Sequence, residues 1–206
     1  MYIRVHSRHS MTCKHATIRY CLRRGFPPYY CAMRYWWSNQ KLTYDREVKG
    51  GYFWCRQRKS NGTRNPFYDA VRLTRNGDVV FAYCRGMIRA VGLVISPVDA
   101  APDPAVKTSE PGWLVRMAWL ELKTPLRPLD HLETLSPLLP ENYSPLTLEG
   151  KGNQGGRLMP LPQPLARALI QLAGGTDPEH LVATDWRKTQ MRFSFNDDDD
   201  ESEELT

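Results

Sequence analysis

The stretch "NPFYDAVRLTRNGDVVFAYC" (residues 65–84) contains a complete local folding programme. Asn65-Pro66 is a helix start, a side-chain cap followed by proline at the first helical position. The helix "PFYDAVRLT" follows and stops at Asn76-Gly77. "DVVFAYC" (78–84) is rich in β-branched and aromatic residues and reads as a strand, with "MIRAVGLVIS" (87–96) as its hairpin partner. Working outward, residues 34–38 read as a first strand and 51–56 as a second, entered through Gly50-Gly51. "GWLVRMAWLEL" (112–122) alternates and reads as a long strand. The loop 97–111, with four prolines, is expected to be surface and mobile. "RPLDHLETLSPLLP" suggests a short helix broken at Pro137, and "PLPQPLARALIQLAGG" a last helix stopping at Gly174. Five or six strands with short interposed helices predict an α+β fold, a small mixed β-barrel rather than a doubly wound sheet.

The 206 residues suffice for one domain with appended tails. Residues 1–32 show no periodicity and are expected to be a disordered or misassigned extension, with the folded unit spanning 33–175. Residues 176–206 have the composition of a disordered acidic tail. No apolar run approaches the roughly 18 residues that cross a bilayer, and no secretory signal is recognisable. Five scattered cysteines fit reduced thiols in a cytoplasm. The formal net charge of +6 is unevenly spread. Residues 1–32 carry six bases and no acid, whereas the last ten carry seven acids and no base. Within 41–64, Lys41, Arg46, Lys49, Arg56, Arg58, Lys59 and Arg64 face only Asp45 and Glu47. A basic segment interleaved with aromatics is the footprint expected of nucleic-acid binding; a solvated surface loop is the plainer alternative.

Enzyme signatures are missing. His131 and His180, the latter at the fading C-terminal end, are the histidines after Met33, and neither stands beside a serine or cysteine in a nucleophile motif. There is no phosphate loop, dinucleotide fingerprint or acid pair with metal-ligand spacing. Cys13, His15, Cys21 and Cys31 lack the two close pairs of a zinc site, so no metal and no cofactor is expected. "EGKGNQGG" (149–156) lacks the spacing of a nucleotide cradle, though its amides and Lys151 suit the approach of a phosphate backbone.

The order of "MRYWWSNQ", "NPFYDAVRLTRNGDVVFAYC", "IRAVGLVISP" and "GWLVRMAWLEL" resembles EVE domains of the PUA-like superfamily. With "GYFWCR" and "LLPENYSPL" added, the pattern is similar to the EVE-like modules that precede HNH in bacterial endonucleases restricting DNA with modified cytosine. The resemblance covers about residues 33–175 and implies a reader of 5-methylcytosine or 5-hydroxymethylcytosine in double-stranded DNA. It also implies a nuclease partner or a missing nuclease domain; with no HNH motif in these residues, cleavage is not assigned to this chain. A more distant likeness links "FWCRQRKSNGTRN" to the RNA-reading YTH domains, where the tryptophan of a "WC" dipeptide forms one wall of a cage around a modified base. That likeness places Trp54 in the same role.

A base read in a duplex must be flipped out at a cost of a few kcal/mol. Stacking on an aromatic returns roughly 1–3 kcal/mol per base. Trp37 and Trp54 are the expected walls, Ser38 and Asn39 the edge-readers, and Tyr83 the ring closing the pocket. Strand alternation directs Tyr35, Trp37 and Asn39 to one face and Trp36 and Ser38 to the other, which assigns Trp36 to the core. Phe67, Trp113 and Trp119 are also expected in the core, and Asn65 is expected to serve as a helix cap. Lys41, Arg56, Arg58, Lys59, Arg64 and Lys151 would pair with phosphates, giving binding that weakens steeply with salt. Three other functions fit the same residues: a reader of modified RNA, a binder of a free nucleobase-like ligand, and an interaction domain whose aromatics are all buried.

Overall fold

The computed structural model describes residues 34–106, 110–153 and 156–174. The extension and acidic tail therefore lie outside the described residues, as do the cysteines and histidine considered for zinc before Met33. The elements are β1 (Tyr35–Asn39), α1 (Tyr44–Gly50), β2 (Tyr52–Arg56), and α2 (Pro66–Asp69) continuing into a 3-10 turn (Ala70–Leu73). Then come β3 (Val79–Cys84), β4 (Met87–Val94), β5 (Asp99–Ala101) and β6 (Gly112–Leu126). The chain continues through α3 (Leu132–Leu135), flanked by 3-10 turns, to β7 (Leu158–Leu161) and α4 (Gln163–Leu172).

The strands order as β2-β6-β4-β3-β1-β7, with β5 added beside β6, in a mixed sheet curled into a half-barrel. β6 is its spine: residues 112–116 pair with β2 and residues from Met117 onward pair with β4, so one long strand carries the curl. β1 pairs parallel with β3 and antiparallel with β7. The fold class is the expected α+β mixed sheet, with seven strands rather than five or six. The proline-rich loop 97–111 is corrected in part: Asp99–Ala101 pairs with Leu114, Trp113 and Gly112.

The concave core gathers Trp36, Phe53, Cys55, Val71, Val80, Val115, Met117 and Leu158, with Trp113 and Trp119 packed half-buried against it. Burial also pushes the Cys55 thiol up to about 12, so it is protonated at neutral pH. On the helix that opens the decisive stretch, Asn65 Oδ1 accepts the Phe67 amide at 3.0 Å. Asn65→Ala is expected to cost about 1 kcal/mol, read as a lowered midpoint in thermal or urea unfolding.

Candidate base-reading site

The parallel register sets Trp37 beside Phe81 and Asn39 beside Tyr83, and in such pairing each couple shares a face. That face lies opposite the one carrying Trp36 and Val80 into the core. There the rings of Trp37 and Tyr83 meet at 4.8 Å, tilted by 33°. Both residues are buried, Trp37 completely. Its indole Nε1–H is buried without a hydrogen-bond partner, and so are both polar atoms of the Gln40 carboxamide. An unpartnered buried donor of this kind costs about 1–3 kcal/mol, so each such group calls for an explanation.

A turn from the glycine-rich segment packs on the Tyr83 ring of the pair. Thr147 and Lys151 close it by hydrogen bonds, and Leu146 bridges to Gly152. Gly152 lies on Tyr83 so closely that an added Cβ would overlap the ring. Burial holds that phenol above its ordinary range, opposed by the neighbouring Gly152 backbone. The Asn39 side-chain Nδ2 donates to the Asn153 carbonyl at 3.2 Å, tying the end of β1 to the same turn. The segment thus serves as a cover rather than a nucleotide cradle, and only glycine fits against the ring.

Of the five residues proposed for the pocket, the fold brings Trp37, Asn39 and Tyr83 together. Ser38 points the other way, its Oγ donating to the Phe81 carbonyl at 3.4 Å. Trp54 stands on β2, buried, with its Nε1 donating to the Ala101 carbonyl at 3.0 Å and its ring against Gly112. No ring contact joins Trp54 to Trp37 or Tyr83 among the described residues.

The connection between these two places runs through a residue the sequence did not single out. The Arg157 guanidinium donates to the Asn39 carbonyl and to the Trp54 carbonyl, both at 2.8 Å. It also pairs with the Glu47 carboxylate and lies 4.4 Å from the centre of the Phe53 ring. Glu47 is wholly buried in α1, and it additionally accepts the Trp54 amide at 3.0 Å and the Thr43 hydroxyl at 2.8 Å. Burial raises its pKa, while Arg157 and these hydrogen bonds oppose the rise. One ion pair therefore fixes the spacing between β1 and β2, strands that are not hydrogen-bonded to each other. Gln40, Glu47 and Arg157 are the residues that reading the sequence missed; the Thr43 and Gly50-Gly51 signals around α1 were the available clue.

The six cations proposed for phosphates fall into two groups. Strand sense alternates from β2 through β6 and β4 to β3, and β1 runs with β3. The C-terminal ends of β1 and β3, with Lys41, thus lie at one end of the sheet. Lys151, next to Gly152 on Tyr83, belongs with them. β2 ends with Arg56 at the opposite end and leads into the loop holding Arg58, Lys59 and Arg64. There Arg56 approaches Glu110 at 3.9 Å, Arg64 pairs with Asp69 at 3.2 Å, and Arg58 donates to the Gly62 carbonyl at 3.1 Å. Phe67 is half-buried and meets Tyr143 edge-on at 5.6 Å.

A cavity of about 540 Å³ is lined by Thr124, Arg127, Asp130, His131, Leu172 and Gly174 among others, and by none of the residues proposed for the pocket. Among the described residues no cluster of histidine, cysteine or carboxylate could hold a metal ion, and no helix is long and apolar enough to cross a membrane.

No protein-family model matches the chain, and no curated protein matches it in sequence. Among solved structures, it is similar to a Pseudomonas syringae protein at 19% identity, over 68% of this chain and 99% of that one, with a TM-score of 0.48. It is similar to human THYN1 in complex with 5-methylcytosine-containing DNA at 16% identity, over 68% and 98% of the two chains, TM-score 0.45. The YTH domain of Zygosaccharomyces rouxii MRB1 in complex with N6-methyladenosine RNA is similar at 11% identity, over 69% and 87%, TM-score 0.45.

Proposed function

We propose that this chain reads a modified base in nucleic acid, and that modified cytosine in duplex DNA is its ligand, as the specificity module of a restriction system directed at modified DNA. The observation that carries the reading is the Trp37–Tyr83 ring pair with an unpartnered indole N–H, lying under a glycine turn. A base acceptor reaching Trp37 Nε1 would satisfy a donor that is unpaired in the free protein. Stacking on the ring pair would offset the cost of flipping. Asn39 supplies an edge contact on the same face. In this reading Trp54 joins the pocket as the opposing wall from the side of β2, with Arg157 holding the two sides at their spacing, while Ser38, on the core face of β1, takes no part. Because both rings are buried in the free chain, entry requires the turn around Gly152 to lift from Tyr83, which exchanges that packing and the Asn39 hydrogen bond for contacts with the base.

The resemblance of "YWWSNQ" and "GYFWCR" to modules that precede HNH favours DNA. The DNA and RNA ligands in the similar structures define the probes that decide it. The test measures binding of the full chain to one DNA duplex carrying a central cytosine, 5-methylcytosine or 5-hydroxymethylcytosine, and to a single-stranded RNA carrying N6-methyladenosine, at low and high salt. A preference for one modified cytosine that persists at both salt levels is expected. Equal, salt-sensitive binding to all three duplexes would overturn the DNA reading, and tight binding to the RNA alone would replace it with its alternative.

A further inference from the structure

The turn between β3 and β4 consists of two residues, Arg85 and Gly86, both in the left-handed region with φ of 51° and 84°. That is the backbone of a type I′ hairpin turn, whose first position favours asparagine, aspartate or glycine. Arginine there is strained, and strain at an exposed position points to something the side chain does. Arg85 is exposed, and among the described residues it makes no ion pair or hydrogen bond that would repay the strain.

Its surroundings indicate what it meets. Arg85 follows Tyr83 by two residues, at the sheet end where the ring pair lies. Cys84 Sγ contacts the Lys41 carbonyl at 3.9 Å, which brings Lys41 beside the turn. Lys151 reaches the same end through Gly152 on Tyr83. Lys41 and Lys151 are exposed and, like Arg85, have no carboxylate within ion-pair distance among the described residues. Arg89 lies close enough to act on the Cys84 thiol; the acids near this end include Asp45, Glu149 and Glu121, the last occupied by the Tyr44 hydroxyl at 3.0 Å. Leu42 stands 90% exposed next to Lys41. An apolar side chain among cations suits a nucleic-acid duplex, where such groups wedge into disturbed base steps, better than a small anion.

Building on the reading above, we propose that Arg85, with Lys41 and Lys151, forms the rim that holds the phosphate backbone around the base-reading site, and that the cations of the 57–64 loop do not. The arrangement separates two jobs at one end of the sheet: the rim positions the strand while the ring pair and Asn39 inspect the base.

The test is Arg85→Asn in the full chain, set against Arg58→Ser, with binding to an unmodified DNA duplex followed across a salt series. Asparagine suits the turn, so the melting temperature of Arg85→Asn is expected to stay level or rise. Binding is expected to weaken at low salt, and the slope of log affinity against log salt to fall by about 0.9, the loss of one phosphate contact. Arg58→Ser is expected to leave the slope unchanged. An unchanged slope in Arg85→Asn overturns the rim, and a slope lost only in Arg58→Ser moves the backbone to the opposite end while leaving base reading intact. Failure of the unaltered chain to bind any duplex or RNA probe removes the functional reading itself and the rim with it.

Discussion

Arg157→Met is expected to destabilise the fold by about 3–5 kcal/mol at neutral pH, because it leaves the Glu47 carboxylate buried and unpaired. The same change frees the carbonyls of Asn39 and Trp54, which the guanidinium holds in common. Glu47→Leu added to Arg157→Met is expected to recover part of the loss, since a buried ion pair exchanged for apolar side chains is often close to neutral. Recovery stays partial because the Trp54 amide and the Thr43 hydroxyl lose their acceptor. The deficit should also depend on pH in a defined direction. Burial raises the Glu47 pKa above its ordinary value of 4.5. Between that value and the folded one, the native state holds a proton that the unfolded chain has released, so stability falls as pH rises through the window. Below 4.5 the contribution is fully present. Removing Arg157 takes away the largest opposing influence and extends the window upward. Urea unfolding of Arg157→Met at neutral and mildly acidic pH should therefore show the deficit shrinking on acidification. A deficit that grows with acid would mean that Glu47 is not the group left stranded.

Trp37 gives the second large effect, and there two substitutions separate packing from reading. Trp37→Ala removes a completely buried ring and is expected to cost about 3–5 kcal/mol whatever the protein binds. Trp37→Phe keeps a ring against Tyr83 and deletes the unpartnered indole N–H. Relief of that donor opposes the smaller cavity, so the net change in stability is expected to stay within about 1–2 kcal/mol. Binding to a duplex with modified cytosine should nonetheless weaken about tenfold, the size of one good hydrogen bond. Affinity unchanged in Trp37→Phe, measured by fluorescence anisotropy of a labelled duplex, would remove the indole from the site.

What the sequence disclosed and what it hid follow from the range of the forces involved. The cap at Asn65, the stop at Asn76-Gly77 and the strand Val79–Cys84 are local effects, visible in consecutive residues, and the structure has them within a residue or two. Helix α1 was hidden because "YDREVKG" is polar and carries no apolar stripe; its one fully buried charge, Glu47, is explained by an arginine 110 positions further on. β7, "LMPL", is too short to register and contains proline, which is tolerated because the strand lies at the sheet edge. At the site, strand alternation separated Trp36 from Trp37 by face, and Trp36 is in the core. Alternation carries no information on depth, however, and Trp37 is as buried as its neighbour. The orphaned Gln40 amide was equally invisible, since a missing partner is a property of three-dimensional surroundings.

The position of β1 has a consequence for biosynthesis. It is the first strand among the described residues, yet its two neighbours are residues 79–84 and 158–161. A nascent chain can complete the first pairing only after a long loop has closed, and the second only when most of the domain has left the ribosome. Until then the flank of Tyr35–Asn39, a run of three aromatics, is an open template for any passing strand. Expression fragments ending before Leu161 should accordingly be prone to aggregation, and slowing translation late in the message should harm the yield more than slowing it early.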